Sequence, residues 1–283
     1  MKRIFPFLVL LLLLQSCVKE NKSVTDANKR INKAQLLLLD DKYEQALIEL
    51  DSINILYPDL LNERNRAKNL KDSIKYVQSK MDFYVKNAEL KTYLAIIDSI
   101  IPSFSYEIQE NNENVGKYSK DGLYLIMDEY TFSHKKGINF WSAVKQTKIP
   151  NQKTLYSIFL NLRYRIANTK SFDCKEVEFI SDNDTINVLC NAIQNNNYYY
   201  YWSGIVFSEE ESNKILNFIF LHKEKEIKVS LIGKRVYSTN ANPVEIEYLA
   251  ETYYLYDCFN KVNILNDELE SLQREVETYE RLR

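Results

Sequence analysis

The sequence predicts an α+β chain. Its parts are an N-terminal helical hairpin, an antiparallel coiled-coil neck made by N- and C-terminal helices, and an inserted, mainly antiparallel β domain with one helix. Three observations predict it. Apolar residues recur every three or four positions from Asp26 to Ile101 and again after Pro243, the period of amphipathic helices. Between Pro102 and Pro243 the pattern changes to short runs rich in aromatic and β-branched residues, which favour strands. Only 5 glycines and 5 prolines punctuate 283 residues, so long elements are expected.

The chain opens with Met1-Lys2-Arg3 and an apolar run from Ile4 to Leu14. Eleven residues rise only ~16 Å as a helix, against a hydrocarbon core of ~30 Å. The run is too short for a permanent span and suits the core of a signal peptide over residues 1–16. Leu14-Gln15-Ser16-Cys17 resembles the lipobox of bacterial lipoproteins, with a leucine three before the cysteine and a small residue just before it. That resemblance implies lipidation of Cys17, followed by a tether over residues 17–25, polar from Val18 to about Ser23. No later segment approaches eighteen consecutive apolar residues.

Residues 26–58 read as a helical hairpin. Ala27, Ile31, Ala34, Leu37 and Leu38 give the first helix its apolar spacing; Ala46, Leu47, Ile48, Leu50, Ile53 and Leu56 carry it through the second. Ala34, Tyr43, Ala46, Leu50, Ile53 and Pro58 fall at tetratricopeptide spacing, and the segment resembles one such repeat. The small residues allow two antiparallel helices to cross closely, and Pro58 ends the second. One hairpin cannot build the groove of a repeat array, so packing against the next helix is its expected role.

Residues 59–101 read as the first coiled-coil arm. Ala67, Leu70, Ile74, Val77, Met81, Tyr84 and Ala88 are spaced alternately three and four apart, a heptad seam, and Leu90, Leu94, Ile97 and Ile101 continue it after a phase slip. The second arm, 243–283, opens at Pro243 and carries Leu255, Cys258, Val262, Leu265, Leu269, Leu272, Val276 and Tyr279 at the same spacing. Two seams of similar length around a strand-rich insertion predict pairing within one chain, over about 35 Å at ~1.5 Å per residue. Matching their ends sets Leu70 beside Val276, Val77 beside Leu269 and Tyr84 beside Val262. A parallel homodimer is the competing use of the same heptads.

The inserted domain, 102–242, carries expected strands at Phe104–Gln109, Gly122–Phe132, Leu155–Ile166, Glu176–Ile180, Thr185–Cys190, Tyr198–Phe207 and Glu226–Ile232. Ser208 with Glu211 three residues on is a capping box, opening a helix whose buried stripe is Ile215, Leu216, Phe218, Ile219 and Leu221. The hairpin at 176–190 can be registered from its pattern. Val177 opposes Val188, Phe179 opposes Ile186, and Asp182-Asn183 forms a two-residue loop. That register sets Cys174 opposite Asn191 rather than Cys190, so those two thiols are expected to stay unbridged.

The chemistry-bearing residues are sparse. A net charge of −2 gives no basic field for nucleic acid. Scarce glycine removes the common phosphate-cradling loops. With 2 histidines, a cysteine nucleophile has few bases to draw on. His222 ends the inserted helix, where capping is its expected role, and His134 precedes an exposed-turn pattern. No zinc signature, serine elbow or calcium loop occurs, so no catalytic residue, metal or cofactor is assigned. The feature that stands out is Tyr198-Tyr199-Tyr200-Tyr201-Trp202. In a strand Tyr198, Tyr200 and Trp202 share a face, a platform suited to a sugar ring or an apolar partner. Asn191, Asn195, Asn196 and Asn197 just before it bring amides suited to hydroxyl groups and equally suited to a loop.

The layout resembles uncharacterised lipoproteins of Bacteroides-type bacteria. The residues carrying the resemblance are Leu14-Gln15-Ser16-Cys17, the Lys42-to-Pro58 hairpin and Lys228-Val229-Ser230-Leu231-Ile232-Gly233. It implies an envelope location, lipid-anchored at the outer membrane, and no known activity. The expectation is a non-enzymatic lipoprotein presenting an interaction domain to a protein partner on a coiled-coil neck. The alternative is a carbohydrate-binding lipoprotein that uses the aromatic strand.

Overall fold

The computed structural model describes residues 22–107, 122–127, 137–148, 152–165, 174–189, 193–197 and 200–282. The signal segment, Cys17, His134, Cys190, Asn191 and Tyr198 lie outside the described residues, as do the expected strand ends at 108–109 and 128–132. The chain is α+β and divides into two compact units, Met1–Asn87 with Glu268–Arg283, and Ala88–Asp267.

The first unit starts with α1 (Lys22–Leu39) and α2 (Tyr43–Leu56). Helix α1 begins four residues before the expected hairpin and takes Lys22, Ser23, Val24 and Thr25 from the expected tether. It buries Ala27, Ile31 and Ala34, and α2 buries Ala46, Leu50 and Ile53. Ala34 and Ala46 have no exposed surface, as a close crossing requires. Asp41 turns the chain between them at φ 56°, a left-handed conformation that aspartate tolerates. Across the pair, Arg30 Nη1 and Lys33 Nζ donate to the two Glu49 carboxylate oxygens at 2.8 and 2.6 Å. Helix α3 (Leu61–Ile100) then lays Ala67 and Ile74 onto Ile31, Ala34, Leu50 and Ile53. Arg66 Nη1 donates to Asn28 Oδ1 of α1 at 2.7 Å, and Lys71 pairs with Asp51 of α2.

The neck is antiparallel, with a register different from the expected one. The last helix, α5, runs Pro243–Arg281. Within the first unit Tyr76 Oη donates to Glu280 Oε1 (3.1 Å), Ser79 Oγ donates to Glu275 Oε2 (3.0 Å), and Lys86 pairs with Glu268 (3.0 Å). Matched seam ends would have set Ser79 against residue 267. The observed partner lies eight residues further on, about 12 Å along the helix. The α5 seam is correct: Leu255, Cys258 and Leu265 are buried, and Val262, Leu269, Leu272, Val276 and Tyr279 are half-buried. The error is on α3, where Val77, Met81 and Tyr84 are exposed. The half-buried stripe instead runs Phe83, Lys86, Leu90 and Tyr93 to buried Ile97. The physical reason is that α3 serves two partners. Its first turns spend Ala67 and Ile74 on the hairpin, and a different face, through Ser79, meets α5.

Among the described residues of the second unit, ten strands form two antiparallel sheets. The larger has the order β1 (Phe104–Glu107), β2 (Gly122–Met127), β3 (Gly137–Thr147), β4 (Leu155–Arg165), β8 (Tyr200–Val206), β7 (Ile193–Asn197). The smaller has the order β10 (Val236–Asn240), β9 (Lys228–Ile232), β5 (Glu176–Ser181), β6 (Asp184–Leu189). The β5–β6 register is the expected one, with Val177 opposite Val188, Phe179 opposite Ile186 and Asp182 at φ 53° in the two-residue loop.

Three strands escaped the sequence reading. β3 begins just after the lysine-rich turn pattern, and β7 and β10 are mostly polar. They are strands because neighbours pair with them: β3 pairs with β4 over its whole length. Helix α4 (Glu209–Leu221) opens with the expected capping box at Ser208 and Glu211.

One core joins these layers. Phe140, Ile158, Leu160 and Leu162 of the larger sheet pack with Val177, Phe179, Val229 and Leu231 of the smaller, with α4 contributing Ile215, Leu216 and Ile219 and α5 contributing Ile246 and Leu249. β8 ends at Val206, so the Leu160 N–H donates instead to Ser212 Oγ of α4 at 3.0 Å, and a buried donor is satisfied. A second cluster seats Ile97 against Leu255 and Cys258, the antiparallel sense again.

Candidate functional site

The expected ligand face is described only in part. Tyr198 lies outside the described residues. Tyr200 and Trp202 stand in β8, which pairs with β7 at the edge of the larger sheet. The backbone register sets Asn197 opposite Tyr200, Asn196 opposite Tyr201 and Asn195 opposite Trp202. The asparagine run is therefore a strand beside the aromatic one. Residues facing each other in an antiparallel pair are close neighbours, so fold and sequence together bring amide-bearing and aromatic positions into register.

His222 sits at the C-cap of α4, and its backbone N–H donates to the Phe218 and Ile219 carbonyls, both at 3.2 Å. Its ring is buried, 4.4 Å from the Phe218 ring. Nδ1 lies 2.8 Å from the Phe218 carbonyl oxygen and Nε2 lies 2.9 Å from Asp184 Oδ2 of β6. Both nitrogens face acceptors, so the ring ties the helix end to the β5–β6 hairpin and has no nitrogen left to activate a nucleophile. Next to it Lys225 pairs with Asp182 (2.7 Å) and holds that carboxyl below its usual range.

The cysteines are structural in their settings. The buried Cys174 thiol donates to the Glu176 carbonyl at 3.3 Å, while Cys190 lies outside the described residues. Cys258 has no exposed surface, and burial pushes its thiol up to about 11. Such a thiol is far from the thiolate that nucleophilic chemistry needs. Glu209, Glu210 and Glu211 occupy the first turn of α4, where negative charge complements the helix dipole, and Glu210 pairs with Lys214 (2.6 Å).

Sequence reading missed a second aromatic group, where α4 meets α5. The Phe220 ring stacks on Tyr254 (centroids 5.8 Å, planes at 11°) and touches Tyr253 (5.5 Å), and Lys223 Nζ stands 5.5 Å from the same ring. These rings are half-buried. Glu251 on the same helix has its carboxyl raised by burial and then by Glu247. The signal was the run Tyr253-Tyr254-Leu255-Tyr256, which straddles the predicted seam and was absorbed into it.

Among the described residues no group of three or more histidine, cysteine, aspartate or glutamate side chains could hold a metal ion. No described helix is long and apolar enough to cross a membrane. No protein-family model, curated protein or solved structure matches the chain.

Proposed function

We propose that this chain is a membrane-anchored lipoprotein of the cell envelope, non-enzymatic, which presents to a protein partner an interaction domain carried on a coiled-coil neck. The observation that carries the reading is Leu14-Gln15-Ser16-Cys17 behind a short apolar run. A diacylglyceryl group plus an amide-linked acyl chain at Cys17 exceeds the roughly two-chain threshold for stable anchoring. The experiment is Cys17→Ala in cells fed a labelled fatty acid. Wild-type chain should carry label in the outer-membrane fraction, and the variant should carry none and leave that fraction. Label retained on the variant ends the proposal.

One observation favours a second reading, a carbohydrate-binding lipoprotein. β7 brings Asn195 and Asn197 into register with Trp202 and Tyr200 at a sheet edge. Amides for hydroxyl groups beside rings for a sugar's apolar face are the chemistry such a site needs. Glycan-array binding that disappears in Trp202→Ala, with the fold intact by circular dichroism, would favour this reading over the first.

A further inference from the structure

One end of the helical hairpin leaves large aliphatic side chains in water. Helices α2 and α3 meet at a turn over Tyr57–Leu60. It is held by the Tyr57 N–H donating to the Ile53 carbonyl (3.0 Å) and by Arg64 Nη1 donating to the Pro58 carbonyl (2.8 Å). Ile55, Leu56 and Leu61 flank this turn and are 77%, 52% and 65% exposed. The hairpin core is filled without them, by Ile31, Leu50, Ile53, Ala67 and Ile74. A single exposed leucine needs no explanation, but three such side chains around one turn form a patch.

The start of α1 lies at the same end. Arg66 of α3 donates to Asn28, and a hydrogen bond with Tyr57 raises the Arg30 pKa, so the N-terminal turns of α1 run beside the Tyr57 turn. Lys22 is five residue steps from Cys17, a reach of at most about 18 Å fully extended. Helix α1 carries the chain away from that point for 18 residues, about 27 Å, to the opposite end, where Leu36 and Leu39 are exposed. A lipid on Cys17 therefore holds the Tyr57 turn, and not the Leu39 end, within a tether's length of the headgroups. Lys22, Lys29, Arg64 and Arg66 stand against Asp26, Asp59 and Glu63, so the charges at this end nearly balance and apolar contact drives the approach.

We propose that Ile55, Leu56 and Leu61 seat in the interfacial layer of the bilayer that carries the lipid on Cys17. The hairpin is then docked on the membrane rather than hanging from it. The proposal rests on the lipid-anchor reading above and deepens it by naming the surface that the first unit meets.

The test uses the chain from Cys17 onward with Cys190→Ser, coupled at Cys17 to one maleimide-linked myristoyl-length chain. Its partition onto phosphatidylethanolamine–phosphatidylglycerol vesicles is then measured. One acyl chain alone binds marginally, so the share contributed by the turn is readable. Ile55→Ser, Leu56→Ser and Leu61→Ser together should weaken partition on the order of tenfold. Leu36→Ser with Leu39→Ser should leave it unchanged. Equal losses in the two variants, or none in either, overturn the proposal. So does a turn variant that dissolves a dimer in light scattering while partition stays the same, because the patch would then be a self-contact. The lipid is attached chemically, so these outcomes do not depend on whether cells acylate Cys17, which the labelling experiment decides.

Discussion

Helix α3 carries one heptad stripe that is core near its start and surface further on, and a pair of alanine substitutions separates the two parts. Ile74 is 3% exposed and packs among Ile31, Ala34, Leu50 and Ile53, whereas Met81, two turns further on, is 53% exposed. Ile74→Ala removes three carbons from a filled site, a change that costs about 2–5 kcal/mol by lost transfer energy plus the cavity left behind. Met81 is half in water already, so Met81→Ala forfeits at most half of the ~1.5–3 kcal/mol that full burial is worth. The better helix propensity of alanine returns a few tenths. The expected gap is at least about 0.8 kcal/mol. Urea unfolding followed by circular dichroism measures it, and amide exchange over residues 27–56 reports the first unit separately should the units unfold in two steps. If the two costs agree within about 0.5 kcal/mol, Met81 is a seam residue and the observed phase of α3 is wrong.

The neck register predicts crosslinks. In a cysteine-free background, cysteines at 79 and 275 should join within a monomer through a short bismaleimide, and cysteines at 77 and 269 should not; the reverse result restores the matched-end register. Cys258, buried with its thiol pushed up to about 11, should resist iodoacetamide at pH 8 in the folded chain and react once urea unfolds it, as alkylation mapped by mass spectrometry would show. Alkylation of the native chain at Cys258 would mean that the neck opens readily. Glu49 is held below its usual carboxyl range by the hydrogen bond from Lys33 first and by Arg30 as well, with burial opposing. A depressed pKa contributes stability above the unfolded value that is lost as pH falls through the folded one. Lys33 is 63% exposed, so solvent screening limits the contribution to under ~1 kcal/mol. Glu49→Gln should therefore lower stability at pH 7 slightly and flatten the acid limb below about pH 4.5, and an acid limb unchanged from wild type would refute the assignment.

Much of the fold was legible because its signals are local. The capping box at Ser208 and Glu211 is a contact between residues three apart. The β5–β6 register follows from apolar residues that must oppose one another, and the α5 seam from a period that one long helix keeps throughout. The candidate ligand face was legible only as an aromatic run. Its asparagine partner strand resembled a loop, because polar residues carry no strand signal until a neighbour pairs with them.

What the sequence determined by itself was therefore the α+β class, the seam of α5 and the β5–β6 register. Tertiary structure decided which helix covers which stripe. α3 presents Ile74 and Met81 at equal hydrophobic merit, and the hairpin takes the first while water keeps the second. The same competition displaced α5 eight residues from the matched-end register. Periodicity says that a face will be buried, but only the packing of a third element says against what. It likewise made a strand of β7, whose polar residues gave little reason to be extended, because β8 supplied the hydrogen-bond ladder.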